Sequence, residues 1–149
     1  MKAVEKHTDT KWLLLYVRRW LVAPYQLKDG TNVERNKGVP QGSVVGPLLS
    51  NLFLHYAFDE WMRKKYPDNP FERYVDDAIC HCSNEGEALV LKEAIRRRFA
   101  DCKLELNEIK TKIVYCKDDD RKNSYPAESF DFLGYTFRAR RSKNRWGKH

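Results

Sequence analysis

Two adjacent carboxylates, Asp76 and Asp77, stand between the apolar-leaning stretches 71–74 and 78–82. Neighbouring negative charges repel, so a pair held in a semi-buried place calls for a neutralising partner. A divalent cation with oxygen ligands is the natural one, magnesium above all, because it binds carboxylates and phosphates together. At the tip of a hairpin the two groups would rest on a rigid base. The competing reading is structural, since aspartate side chains bond their own backbone and Asp-Asp makes a good turn. A second feature is GVPQGSVVGP at 38–47, with three glycines and two prolines in ten residues. Glycine lets a backbone approach a ligand closely, and amides in turns receive phosphates or bases. Gln41 adds a donor and an acceptor. A rigid linker capping the following helix accounts for the same residues.

Other chemistries find less support. Cys80 and Cys82 flank His81, and on a strand both thiols would share a face. Cys102 and Cys116, however, lack the short paired spacing of zinc sites, and cysteines buried as small apolar groups fit better. His7, His55 and His81 have no Ser or Cys arranged beside them as a nucleophile.

The elements that must position these residues read as follows. Thr8 or Asp9 caps a first helix whose face carries Trp12, Leu13, Tyr16, Val17, Trp20 and Leu21, and Pro24 follows its end. Residues 25–37 read as a short hairpin turning at Asp29-Gly30. After the glycine-rich loop, Pro47 opens a helix from about 47 to 65. Its stripe is Leu48, Leu49, Leu52, Phe53, Tyr56, Ala57 and Trp61. Residues 71–74 and 78–82 form a tight hairpin around Val75-Asp76-Asp77. Asn84 caps the next helix with Glu87 as capping-box partner, and Ala88, Leu91, Ile95, Phe99 and Cys102 form its apolar face. Segments 104–106 and 113–116 read as strands, 117–129 as a polar loop, and 130–137 as a last strand pair around Gly134. Helices interleaved with short strands predict an α+β, two-layer plan, an antiparallel sheet with helices on one face.

The whole chain sets the outer bounds. Its 149 residues, 42% hydrophobic and 33% charged, predict one soluble globular domain rather than a disordered or membrane protein. No apolar run is long enough to cross a bilayer, the first ten residues lack a signal-peptide core, and the expected location is cytoplasmic. Four cysteines do not make a disulfide-stapled miniprotein. The formal charge is +7, from 28 basic and 21 acidic residues. Six of the basic residues (Arg138, Arg140, Arg141, Lys143, Arg145, Lys148) lie from 138 onward with no acid among them, leaving 22 against 21 before them. Such a tail suits a polyanion such as nucleic acid, and a merely solvated terminus is the alternative.

Four stretches then occur in the order of one family. GVPQGSVVGPLLSNLFL (38–54), YVDD (74–77), LELNEIKTKI (104–113) and SFDFLGYTF (129–137) resemble the blocks of the reverse transcriptase in bacterial group II intron-encoded proteins. The resemblance covers 1–141 and implies a reverse transcriptase palm domain, with 142–149 a basic tail where the connection to a thumb would begin. It implies that Asp76 and Asp77 hold magnesium and that Tyr74 supports the primer terminus. Pro40, Gln41 and Gly42 would line the nucleotide and template, Lys110 would act near the leaving pyrophosphate, and Phe132, Leu133, Gly134 and Tyr135 would grip the primer. The implied activity is templated addition of deoxynucleoside triphosphates to a DNA primer on an RNA template, with intron RNA as a further partner.

The departures bear on activity. Family members carry a first catalytic aspartate on a strand before the segment resembling MKAVEKH, and Val75 stands where alanine is usual. The expectation is therefore a truncated palm lacking its first catalytic strand and inactive by itself. Its open sheet edge beside 71–74 and 78–82 would favour a homodimer, with Leu52, Leu91 and Ile95 uncovered. The alternatives are a non-catalytic RNA-binding remnant and a self-associating structural fragment.

Overall fold

The computed structural model describes residues 1–35, 38, 42–117 and 124–140, and every structural statement below concerns these. The chain divides into two compact units, Met1–Asp68 with Arg73–Ala78, and Asn69–Glu72 with Ile79–His149.

The first unit opens with a short helix, α1 (Lys2–Glu5), followed by α2 (Lys11–Val22). Thr10, rather than Thr8 or Asp9, is the N-cap of α2, because the Thr8 hydroxyl is engaged by the Thr10 amide at 3.2 Å. At the other end Arg35 donates to the carbonyls of Ala23 at 2.9 Å and Trp20 at 2.7 Å. A cation there satisfies carbonyls that the helix leaves without partners. Of the expected apolar face Val17 is buried, while Trp12, Tyr16 and Trp20 are exposed and pack as a row, with ring centroids 6.5 and 6.1 Å apart. Strands β1 (Tyr25–Gln26) and β2 (Asn32–Val33) pair antiparallel around the expected Asp29-Gly30 turn. Asp29 accepts the Thr31 amide at 2.9 Å and Gly30 takes φ +89°.

The helical run expected from 47 to 65 is present but not uniform. It comprises α3 (Gly46–Leu54, with Pro47 in its first turn), a π-helical turn over His55–Asp59, and α4 (Glu60–Lys65). A π turn bonds five residues back instead of four and rotates all that follows. The buried set is consequently Ala57, Phe58, Asp59 and Met62, while Leu48 and Phe53 of the expected stripe are exposed. Lys6 and His7, just after α1, meet this run at Tyr56: the ammonium lies 4.1 Å over the ring, and His7 Nε2 is 2.9 Å from the hydroxyl.

Strands β3 (Phe71–Tyr74) and β4 (Asp77–Cys80) form the hairpin at which the chain passes between the units. In the second unit, Asn84 caps α5 (Glu85–Asp101) by accepting the Glu87 amide at 2.9 Å, and Glu87 reaches back to the Ser83 amide at 2.6 Å. Asn69, itself buried, donates to Glu87 at 2.7 Å and to the His81 carbonyl at 3.0 Å. The Ser83 amide first, then Asn69, hold the Glu87 carboxyl below its ordinary range. The other end of α5 closes with Lys103 at φ +59° and the amides of Lys103 and Leu104 returning to Ala100 and Phe99. Leu91 is buried, contrary to the expectation that it would be uncovered; Leu52 and Ile95 are half-buried.

Strands β5 (Ser129–Phe132) and β6 (Tyr135–Arg138) pair with Phe130 opposite Phe137, their rings stacked at 5.1 Å. The α+β composition is as expected, with helices and antiparallel strands. The strands, however, pair as three separate two-stranded sheets among the described residues. The segments 104–106 and 113–116, expected as strands, are irregular. Between them the Thr111 amide returns to Asn107 at 2.9 Å, and within the second segment the Tyr115 amide reaches across to Ala127 at 2.9 Å. No described helix is long and apolar enough to cross a membrane.

Candidate functional site

The carboxylate pair sits where the hairpin turns. Tyr74 is the last residue of β3, Val75 and Asp76 make the connection, and Asp77 begins β4. Tyr74, Asp76 and Asp77 are exposed, and among the described residues neither carboxylate is engaged in a side-chain hydrogen bond or ion pair. The hard oxygen donors are thus free to take a cation. Val75 carries φ +56°. A β-branched residue in this left-handed region is an outlier costing on the order of 1–2 kcal/mol, so something must hold it there.

Arg73 does the holding. Its Nη1 donates to the Val75 carbonyl at 2.7 Å and to Asn51 Oδ1 at 3.0 Å. Its Nε and Nη2 meet the two oxygens of Asp59 at 2.6 and 2.7 Å, a two-pronged match of guanidinium to carboxylate. Both side chains are nearly enclosed, 12% and 11% exposed. His55 Nδ1 lies 3.6 Å from the same carboxylate. Burial pushes Asp59 up, but the Arg73 hydrogen bonds and charge, with His55 behind them, prevail and hold its carboxyl below the usual range. The Asp59 contact raises Arg73 in turn. Asn51, Asp59 and Arg73 were not singled out by the sequence reading. The available signal was an arginine within a short strand; the inward position of Asp59 comes from the π-helical turn.

The remaining expected site residues fall in different places. Pro40 and Gln41 lie outside the described residues. Gly42 is exposed with φ +84° and no protein atom within 4 Å of where a Cβ would stand, so the left-handed backbone itself favours glycine there. Lys110 belongs to the second unit and is exposed in a turn built by Asn107, whose Oδ1 accepts the Lys110 amide at 3.1 Å. Glu108 ties that turn to α5 through Lys92 at 3.4 Å and Arg96 at 2.7 Å. Phe132, Leu133, Gly134 and Tyr135, also of the second unit, make the tip of the β5–β6 hairpin. Leu133 and Gly134 take φ +52° and +80°, and Tyr135 is exposed. The structure therefore groups Tyr74, Asp76 and Asp77 on one hairpin. No cluster of three or more His, Cys, Asp or Glu suited to a metal occurs among the described residues. Burial, then the neighbouring Cys82, pushes the Cys80 thiol up to about 12, which disfavours the thiolate.

Tyr74, Asp76 and Asp77 thus stand at the turn of a short-strand hairpin that follows the glycine-bearing loop and the 46–65 helical run. Residues 1–137 match the family described as reverse transcriptase (RNA-dependent DNA polymerase), and the chain belongs to it. A COX1/OXI3 intron 2 protein of Saccharomyces cerevisiae is 32% identical over 117 residues, which is 78% of this chain and 12% of that relative. The chain thus spans a small part of the length of the relative it resembles. Both findings agree with the group II intron reverse transcriptase read from the four sequence blocks.

Proposed function

We propose that this chain supplies the metal-binding hairpin of an RNA-directed DNA polymerase of the group II intron type. The observation that carries the reading is the pair Asp76–Asp77, unengaged at the turn of a hairpin held by Arg73. Two carboxylates fit magnesium, which takes hard oxygen ligands and completes its shell with water and substrate phosphates. Bound there, magnesium would activate a primer 3′ hydroxyl and neutralise charge developing on phosphate. The chain's own residues take the following roles. Asp76 and Asp77 hold the ion, Tyr74 supports the primer terminus, and Pro40, Gln41 and Gly42 line the nucleotide and template. Lys110 delivers a proton towards the leaving pyrophosphate, and residues 132–135 grip the primer backbone. The two-layer palm is the arrangement in which these parts would meet.

Two carboxylates leave such a site under-liganded, and no third metal-binding group accompanies them among the described residues. The 149 residues alone are therefore expected to bind divalent cations weakly and to give no templated synthesis. Magnesium titration of the chain should shift the amides of Asp76 and Asp77, and the double variant Asp76→Asn/Asp77→Asn should abolish that shift. An unchanged spectrum in the unsubstituted chain would refute the metal role. Primer extension on RNA that disappears in the double variant would refute the inactivity. A second reading, RNA binding without catalysis, is favoured by the six basic residues gathered from 138 onward.

A further inference from the structure

We propose that Arg73 is a positioning residue for the carboxylate pair, setting the turn that aims Asp76 and Asp77 through its hydrogen bond to the Val75 carbonyl. The assignment rests on the reading of that pair as a metal site. The geometry runs in one chain of contacts. The π-helical turn ends at Asp59, which puts its carboxylate on the buried side of the helix. Asp59 takes Nε and Nη2 of Arg73 at 2.6 and 2.7 Å, which fixes the plane of the guanidinium. With that plane fixed, the two hydrogens of Nη1 have fixed directions, and Nη1 donates to both Asn51 Oδ1 and the Val75 carbonyl.

An ion pair that merely stabilised the helix would need only the Asp59 prongs. The third arm ends instead on the carbonyl of the strained residue that directly precedes Asp76. Val75 pays a conformational cost at φ +56°, and a charge-assisted bond to its carbonyl is the compensation at that residue. Lysine could keep the charge opposite Asp59, but it lacks the planar fork and cannot hold Asp59, Asn51 and Val75 at once.

The test uses the full chain, labelled for amide spectra, with Mn2+ as the probe. In a folded Arg73→Lys variant the metal-free amides of Val75, Asp76 and Asp77 should move and lose protection. The Mn2+ concentration that half-broadens the Asp76 and Asp77 signals should rise roughly tenfold, the scale of losing a partner behind a metal ligand. Asn51→Ala, which leaves the Asp59 prongs intact, should move the same amides less and in the same direction. Val75→Asn added to Arg73→Lys should recover at least half of the Mn2+ effect, because asparagine tolerates the left-handed backbone that the lost bond no longer enforces. A purely structural ion pair would show no such recovery. Unchanged tip amides in folded Arg73→Lys would overturn the proposal, as would absence of recovery with Val75→Asn. If Arg73→Lys does not fold, Asn51→Ala decides by the same amides. If Mn2+ fails to broaden Asp76 and Asp77 in the unsubstituted chain, the metal reading falls by itself. The metal-free amides then still decide what Arg73 does.

Discussion

Asp59 shows how a single side chain can be ionised in an apolar setting. Its burial opposes the charge, and the Arg73 fork and His55 outweigh it, so the folded carboxyl titrates lower than the unfolded one. For a carboxylate lowered in this way, the contribution to stability is complete above the ordinary aspartate range. It is lost as pH falls through the lowered folded value. Asp59→Ala strands Arg73 without its partner and should destabilise the chain by about 3 kcal/mol. Asp59→Ala combined with Arg73→Leu should cost clearly less than the sum of the single changes. Urea unfolding at neutral pH and at about pH 3 checks both statements, since the penalty of Asp59→Ala should shrink in acid. Equal penalties at the two pH values would show that the carboxylate's charge is immaterial.

Between residues and the molecule stand the turns, which decide where each hairpin's chemistry points. The β5–β6 connection is two residues long, and both take positive φ, Leu133 at +52° and Gly134 at +80°. That is the mirror-image turn matching the twist of paired strands, and its favoured sequence is Asn-Gly. Leucine at the first position is strained and half exposed, so its side chain returns little packing. Leu133→Asn should therefore stabilise this hairpin by about 1 kcal/mol. Slower amide exchange across the Phe130–Phe137 and Phe132–Tyr135 pairs would register the gain, and faster exchange would contradict it. The π turn acts at the same scale. Ala57 of the expected stripe is buried, and the register shift adds Phe58 and Met62 to it and brings Asp59 inward with them.

Across the whole molecule the unbalanced charge lies at one end of the chain. Arg138 closes β6 opposite Ser129, so a deletion that spares the hairpin begins at 139 and removes five basic residues. It leaves 23 basic against 21 acidic residues and brings the formal charge from +7 to +2. If the chain binds RNA through counterion release, this deletion should weaken binding and flatten its salt dependence together. Filter binding of full and shortened chains at two salt concentrations measures both quantities. Equal affinity and equal slope would assign the binding to another surface.

The local pattern of residues was enough to place the helices around α2, the 46–65 run and α5, the Asp29-Gly30 turn, the Asn84–Glu87 cap and both later hairpins. Each of these depends on interactions spanning a few residues, which periodicity, capping chemistry and turn composition report directly. The pairing of Asp76 with Asp77, and their position at a turn, were legible for the same reason. Contacts between distant positions were not. Asp59 and Arg73 are fourteen residues apart and Asn51 and Arg73 twenty-two, and no short-range pattern joins them. The π turn that turns Asp59 inward left no periodic signature, because a single register change within an apolar helix preserves the composition on which periodicity rests. Segments 104–106 and 113–116 have the apolar residues of strands yet lie irregular, because local composition does not fix a ladder with a distant segment. What tertiary structure alone decided is how the carboxylate hairpin is held: a guanidinium fixed by a buried carboxylate, donating to the carbonyl of a strained residue just before the first aspartate.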